Sequence, residues 1–234
     1  MIEALDYLTL PASARGEYDT LLGRRAIDGR VRTLNVGLAF DGTAPGIASM
    51  TFATADANAT EKLLARRAVA AKRNGDTLAL DGNGVAIGIA SPRAEAPSPI
   101  VRDEAATVSA LDHVVVRTPN PERAIAFYAG RLGLDLRLDR SNPNWGQRLL
   151  FFRCGDLVVE IAHDLKKGVS DGPDHLWGLS WRVPDIAKAN ARLKAAGLDV
   201  DALRDGRRPS TQVFTVKSGT AGVPTLFIGG IGRW

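Results

Sequence analysis

His113 is the residue in this chain whose type and setting best suit chemistry. The phrase Leu111-Asp112-His113-Val114 repeats an earlier one, Leu5-Asp6-Tyr7-Leu8, with an imidazole in place of a phenol and valine in place of leucine. Similar strand-then-helix units begin near Ile47-Ala48-Ser49 and near Trp177-Gly178-Leu179. Four related units imply a fold built by duplication, so equivalent positions can be compared within one sequence. Of the matching positions Tyr7, Ser49, His113 and Gly178, only His113 ligates a metal well or moves a proton at neutral pH. Chemistry is therefore expected in the second half. Cys154 is the only cysteine, which excludes an internal disulfide and a cysteine-based zinc site; its expected role is that of a small, partly buried residue.

Strand alternation sorts the neighbours of His113. Val114 and Val116 are apolar and should pack on helices, so His113, Val115 and Arg117 face the other way. In the fourth unit Leu179, Trp181 and Val183 take the helix side, leaving Gly178, Ser180 and Arg182 toward a cavity. Arg117 and Arg182 occupy matching places and could clamp a carboxylate or an enolate oxygen, although strand-end arginines more often snorkel to water. Trp145, Phe151 and Phe152 line the cavity or belong to the core, and Asn142 to Gly146 reads as a lid loop.

The elements that must position these residues are legible in outline. Leu111 to Thr118 is a Val-rich strand; Asn120 caps a helix with Pro121 at its first position, and Gly133 ends it. Leu134 to Leu138, Arg148 to Phe152 and Leu157 to Ala162 read as three strands, so this unit is βαβββ. The fourth repeats the plan with a strand over Leu179 to Val183, Asp185 as a cap, a helix over Ile186 to Ala196, and strands at Val213 to Lys217 and Thr225 to Gly229. In the first half, a compressed unit covers Ala4 to Phe40. A second has strands at Ala48 to Ala53, Thr77 to Leu80 and Val85 to Ala90, with a helix from about Asn58 to Lys72. Ser91 to Ser109, rich in proline, reads as a linker.

Composition narrows the partners. Hydrophobic residues at 45% and charged residues at 24% are those of a soluble globular protein. The net charge of +4 is small and its arginines and lysines are scattered among acids, so nucleic-acid binding has little support. No stretch nears the roughly 20 apolar residues of a membrane span, and Met1-Ile2-Glu3-Ala4 lacks the features of a signal peptide, so a cytoplasmic protein is expected. Abundant Ala and Gly, with Arg preferred to Lys, fit a bacterial source.

With these units in place, the chain resembles the vicinal oxygen chelate superfamily, which includes glyoxalase I, bleomycin-resistance proteins and extradiol dioxygenases. Leu111-Asp112-His113-Val114-Val115-Val116, Ala124-Ile125-Ala126-Phe127-Tyr128, Leu132-Gly133-Leu134 and Val158-Val159-Glu160-Ile161 carry the match. Trp181-Arg182-Val183-Pro184-Asp185-Ile186 and Leu193-Lys194-Ala195-Ala196-Gly197 match the opening of a second module. The resemblance is good over 110–230 and weaker over 1–92. It implies an α+β fold of four tandem βαβββ modules in two domains: a degenerate one at 1–92, a linker at 93–109, and a domain at 110–234 holding the site. It also implies metal ligands on the first and last strands of a module, which fall on His113 and Glu160 in the third unit but on Gly178 and about Leu226 in the fourth. The cofactor expected from it is one divalent metal (Fe, Mn, Ni or Zn), or none.

Two function classes stand at this point. One is a glyoxalase- or dioxygenase-like enzyme acting on a small oxygen-rich organic substrate through an enolate-type intermediate, with His113 and Glu160 as catalytic groups or metal ligands. Arg117, Arg182, Trp145 and Ser180 would then be substrate-binding. The other is a metal-free binding protein of the bleomycin-resistance type, in which the same residues only line a cavity. The expected partners are a small molecule and a second copy of the chain in a homodimer.

Overall fold

In the computed structural model, residues 1–101 and 103–230 are described. The first unit comprises β1 (Ile2–Pro11), α1 (Arg15–Leu22), β2 (Arg30–Arg32) and β3 (Gly37–Gly42). The second comprises β4 (Ser49–Thr54), α2 (Ala57–Arg66), β5 (Lys72–Asn74), β6 (Thr77–Asp81) and β7 (Ala86–Ala90). The third has β8 (Ala110–Arg117), then α3 (Pro121–Ile125), which runs on as a π-helix over Ala126–Arg131. It continues with β9 (Asp135–Asn142), β10 (Gln147–Cys154) and β11 (Leu157–Asp164). The fourth has β12 (His175–Arg182), α4 (Ile186–Ala195), β13 (Arg204–Asp205), β14 (Gln212–Val216) and β15 (Thr225–Gly229).

The strand orders reveal the duplication. One sheet runs β2-β3-β1-β4-β7-β6-β5 and the other β13-β14-β15-β12-β8-β11-β10-β9. Units two, three and four each place their strands in the order first, fourth, third, second; the first unit does so with one strand fewer among the described residues. The fold is thus α+β, built from tandem βαβββ modules. Parallel pairing of first and last strands sets the internal equivalences. Thr51 lies opposite Gly88, and Ser180 lies opposite Leu226, so Ala53 answers to Arg182.

The same cap starts three of the helices. Asp56, Asn120 and Asp185 each accept a hydrogen bond from the backbone N–H three residues on, at 2.9–3.0 Å, satisfying a donor that the helix leaves open. Pro121 takes the first position of α3, where its missing N–H costs nothing. Gly133 follows the π-helix with φ 79°, a left-handed conformation that side chains disfavour. Two expected boundaries move. The second helix stops at Arg66 rather than near Lys72, because Ala68 turns to φ 55° and Lys72–Asn74 pairs with β6 instead. The fourth unit's strand begins at His175, four residues before Leu179.

Two compact units emerge, each from several chain segments. The first contains Met1–Tyr7, Ser49–Ala94 and Val114–Trp177; the second contains Leu8–Ala48, Glu95–His113 and the chain from Gly178 on. In the first, Val114, Val116, Tyr128, Phe152, Val159 and Ile161 are fully buried, and the Tyr128 ring meets Phe127 edge-on at 5.2 Å and Phe152 at 5.7 Å. In the second, Trp181, Leu193, Phe214 and Phe227 are fully buried, and the two phenyl rings stack at 5.0 Å. Each such side chain contributes about 1.5–3 kcal/mol of burial. Within the second unit, buried Arg24 holds Val108 and Ser98 by donating to their carbonyls at 2.9 Å and 2.7 Å. Among the described residues no helix is long and apolar enough to cross a membrane.

The recurrent cap is testable. Asp185→Ala should lower stability by about 1 kcal/mol in urea denaturation, with Asp185→Asn retaining most of it.

Candidate active site

His113 stands on β8, in the second compact unit, beside a carboxylate. Its Nδ1 lies 2.9 Å from Oδ2 of Asp112, and Oδ1 of the same carboxylate accepts from Arg182 Nε at 3.0 Å. Asp112 is 3% exposed. Burial alone would raise its pKa, but the hydrogen bonds and charges of His113 and Arg182 together outweigh that and hold it below the ordinary carboxylate range. An ionised Asp112 favours a proton on Nδ1, which sets the tautomer of a neutral ring and leaves the lone pair on Nε2.

Local backbone bonds hold these groups. The side-chain amide of Asn35 donates to the carbonyl of Leu111 (2.8 Å) and accepts from its N–H (2.9 Å), pinning β8 one residue before Asp112. At the other side, the carbonyl of Arg182 accepts from the N–H of Ser109 at 2.9 Å and from its hydroxyl at 3.1 Å. Arg208 lies in the turn between β13 and β14. Burial lowers the pKa of its half-buried guanidinium, the Asp112 charge works against that, and the Arg182 charge adds to it. Arg208 is therefore within electrostatic reach of both. Asp112 and Arg208 are the residues that sequence reasoning missed. Alternation puts neighbours on a strand to opposite faces, which hides the Asp112–His113 contact, and nothing in the sequence marks the short β13.

The other candidate positions fall as follows. Gly178 is buried, and a Cβ there would come within 2.9 Å of the Pro224 carbonyl oxygen, so a ligating side chain has no room. Ser180 is fully buried, and its hydroxyl has no hydrogen-bond partner among the described residues. Cys154 is buried, which pushes its thiol up to about 12 and removes it as a nucleophile at neutral pH.

In the first compact unit, Leu157 and Val158 open β11 as buried residues. Val159, Ile161 and His163 are buried, while Glu160 and Ala162 are half-buried. Glu160 lies opposite Phe151 on β10, which lies opposite Leu138 on β9; Ala162 lies opposite Leu149. Directly opposed residues share a face, so Glu160 is the acid of an otherwise apolar row. His163 points the other way, its Nδ1 3.1 Å from the Thr118 carbonyl. The Arg117 guanidinium stacks 4.0 Å over Trp177. Trp145 is 40% exposed at the tip of the β9–β10 hairpin, with Arg140 5.2 Å above its ring. Phe152 belongs to the core.

Residues 110–219 match the sequence model of the Glyoxalase/Bleomycin resistance protein/Dioxygenase superfamily. Over 131 residues, 52% of this chain and 88% of the relative, the sequence is 28% identical to an ethylmalonyl-CoA/methylmalonyl-CoA epimerase of Cereibacter sphaeroides. In structure the chain is similar to a Mn(II)-bound glyoxalase from Novosphingobium aromaticivorans, with TM-score 0.73, 13% identity and coverage of 99% of this chain and 83% of that one. It is also similar to a 2,2',3-trihydroxybiphenyl 1,2-dioxygenase from Sphingomonas wittichii RW1, with TM-score 0.72, 16% identity and coverage of 98% and 91%. At these identities the two structures speak to fold alone.

A metal of the kind bound by that glyoxalase needs a donor set. Protein-held centres usually use three or more side chains, and among the described residues no three His, Cys, Asp or Glu side chains are grouped to hold an ion. The Asp112 carboxylate beside His113 meets its Nδ1 and Arg182. The described residues therefore do not make up a three-ligand metal centre.

The Asp112 bridge makes two predictions. Because its pKa is depressed in the folded chain, the stability it contributes is present above the ordinary carboxylate pKa and is lost as pH falls through the lower folded value. Arg182→Met should cost about 3 kcal/mol at neutral pH and move acid unfolding to higher pH, measured by urea titrations from neutrality to about pH 4. Gly178→His, which restores a ligand type at the fourth-unit position, should destabilise by about 1–3 kcal/mol without conferring metal binding.

Residues 110–219 thus match the Glyoxalase/Bleomycin resistance protein/Dioxygenase superfamily, inside a fold of tandem βαβββ modules.

Proposed function

We propose that the C-terminal half, 110–234, carries an enzyme site of glyoxalase or dioxygenase type. It acts on a small oxygen-rich organic substrate through an enolate-type intermediate, and the N-terminal half, 1–92, is a degenerate copy joined by the 93–109 linker. The observation that carries this reading is the Asp112–His113–Arg182 constellation: an imidazole oriented by a buried, ionised carboxylate beside a guanidinium. In the proposed step the C–H bond next to a substrate carbonyl breaks, its proton passes to His113 Nε2, and its electron pair moves onto the carbonyl oxygen. Asp112 keeps Nδ1 protonated and offsets the imidazolium charge, as a general base requires. Arg182 and Arg208 supply N–H donors and positive charge for the oxyanion, the transition-state feature most worth stabilising.

The similarity to an epimerase supports this class, because inverting a carbon centre next to a thioester requires a proton to leave and return at one carbon. Glu160, the acid in the apolar row of the first compact unit, is a second candidate group, and Ser180, Arg117 and Trp145 are candidate substrate contacts. A metal-free binding protein is the second reading, favoured by the missing three-ligand set and by Gly178, which has no room for a ligand.

The test is proton exchange in D2O, followed by 1H NMR with keto-aldehydes, 2-oxo acids and branched acyl thioesters. The wild-type chain should wash deuterium into the carbon next to the carbonyl of at least one class. His113→Ala should slow that exchange by about 10²–10⁴-fold. Exchange unaffected by His113→Ala would sink the assignment, and saturable binding without exchange would establish the binding protein. Elemental analysis of both proteins tests the metal separately.

A further inference from the structure

An irregular strap, residues 168–174, leads from β11 into β12; it is exposed along most of its length and ends in a buried acid. Asp174 is 1% exposed, with its side chain wholly enclosed. Its Oδ1 accepts from the Thr118 hydroxyl and from Arg123 Nη2, both at 2.7 Å. Arg123 also donates to two strap carbonyls, Gly172 at 2.6 Å and Asp171 at 3.2 Å. The backbone adds two ties. Ser170 N–H donates to the Pro119 carbonyl at 3.1 Å, and Asp174 N–H to the Asn83 carbonyl at 2.7 Å. The start of α3 and the β6–β7 turn thus converge on the strap, all within the first compact unit.

A negative charge on Asp174 is poorly served by this arrangement. Both donors fall on Oδ1, while Oδ2 is buried with no hydrogen-bond partner among the described residues. An ionised carboxylate needs donors on both oxygens, and a bare one costs more on a charged group than on a neutral carboxyl. Arg123 does not reverse this, because its side chain stays 24% exposed and divides its donors between Asp174 and two carbonyls. The other titratable groups facing Asp174 are His175, next on β12, and Tyr128 on the π-helix. His163 of β11 turns its Nδ1 to the Thr118 carbonyl, and Asp81 of the β6–β7 turn accepts from the Gly84 N–H. Burial outweighs Thr118, Arg123 and His175 and holds the Asp174 carboxyl above the ordinary carboxylate range. We propose that the 168–174 strap is a proton-linked latch, which closes with a proton on the Asp174 carboxyl and loosens when that proton leaves. Closing carries the carboxyl from water into its enclosed position, so closure takes up a proton. Its strength is full below the ordinary carboxylate value and is lost as pH rises through the higher value of the closed state. That sign is opposite to the one for Asp112. It is also opposite to the one expected if the Arg123–Asp174 ion pair were what fastens the strap. The latch is independent of the reading given to His113.

Hydrogen–deuterium exchange of the full chain measures the latch, read by mass spectrometry on peptides spanning 168–174 and corrected for the intrinsic pH dependence of amide exchange. Peptides from β11 are the control. In the wild-type chain, protection of the strap should fall by up to about tenfold per pH unit above the ordinary carboxylate value, then level off. Asp174→Asn keeps an acceptor for Thr118 and Arg123 but is neutral at every pH. It should remove the dependence and protect the strap at least about threefold better than wild type at neutral pH. Carbon NMR of the Asp174 carboxyl in the wild-type chain is the second measurement and decides the matter if the variant fails to fold. Its midpoint should lie above the ordinary value of about 3.9. Wild-type strap protection that is flat or rises with pH would overturn the latch. So would an Asp174→Asn strap less protected than wild type at neutral pH with β11 unchanged, or a carboxyl midpoint at or below about 3.9.

Discussion

A single buried carboxylate organises the second half of this molecule. Removing Asp112 from water is unfavourable, and the structure tolerates it because one oxygen meets His113 and the other Arg182. That requirement reaches outward. Arg182 must end β12 at a fixed depth, which Ser109 secures by bonding twice to its carbonyl, and Leu111 must hold its place, which Asn35 secures. The imidazole is thereby delivered in one tautomer. Stability and the proposed chemistry thus draw on the same contact.

The architecture was largely legible because its signals are local and repeated. Asn120 and Asp185 announce their helices, Gly133 ends one, and valine-rich runs mark strands, so the third and fourth units could be outlined from spacing alone. The end of α2 was not legible, since Ala-Arg-Arg-Ala offers no stop signal and the break comes from Ala68 and from pairing of Lys72–Asn74. At the site, His113 stood out by comparison with Tyr7, Ser49 and Gly178. Its partner did not, because Asp112 sits on the strand phase that should face helices, and Arg208 lies on a turn whose neighbouring strand is two residues long. Such contacts are set by tertiary placement, which periodicity does not encode.

Duplication explains both what was kept and what was changed. The buried aspartate recurs in both copies, as do the fully buried partners Phe52 and Trp181 on the helix side of equivalent strands. The variable positions face the other way: phenol or imidazole, alanine or arginine. A module can exchange these without disturbing its core, since the two faces of a strand answer to different neighbours. One plan thus carries aspartate, histidine and arginine in one copy and aspartate, tyrosine and alanine at the answering positions of the other.

The interleaving of chain segments in the two compact units has a consequence for how the molecule assembles. Strands β1 and β8 each pass from one unit to the other, and residues 1–7 belong with residues as distant as 177. Contacts that join the separate segments of either unit therefore close long loops, which raises relative contact order and slows folding from the unstructured chain. During synthesis from the ribosome, neither unit has all its segments until β12 begins to emerge, so the first half must wait for the second. A polypeptide of this plan matures as a whole rather than half by half.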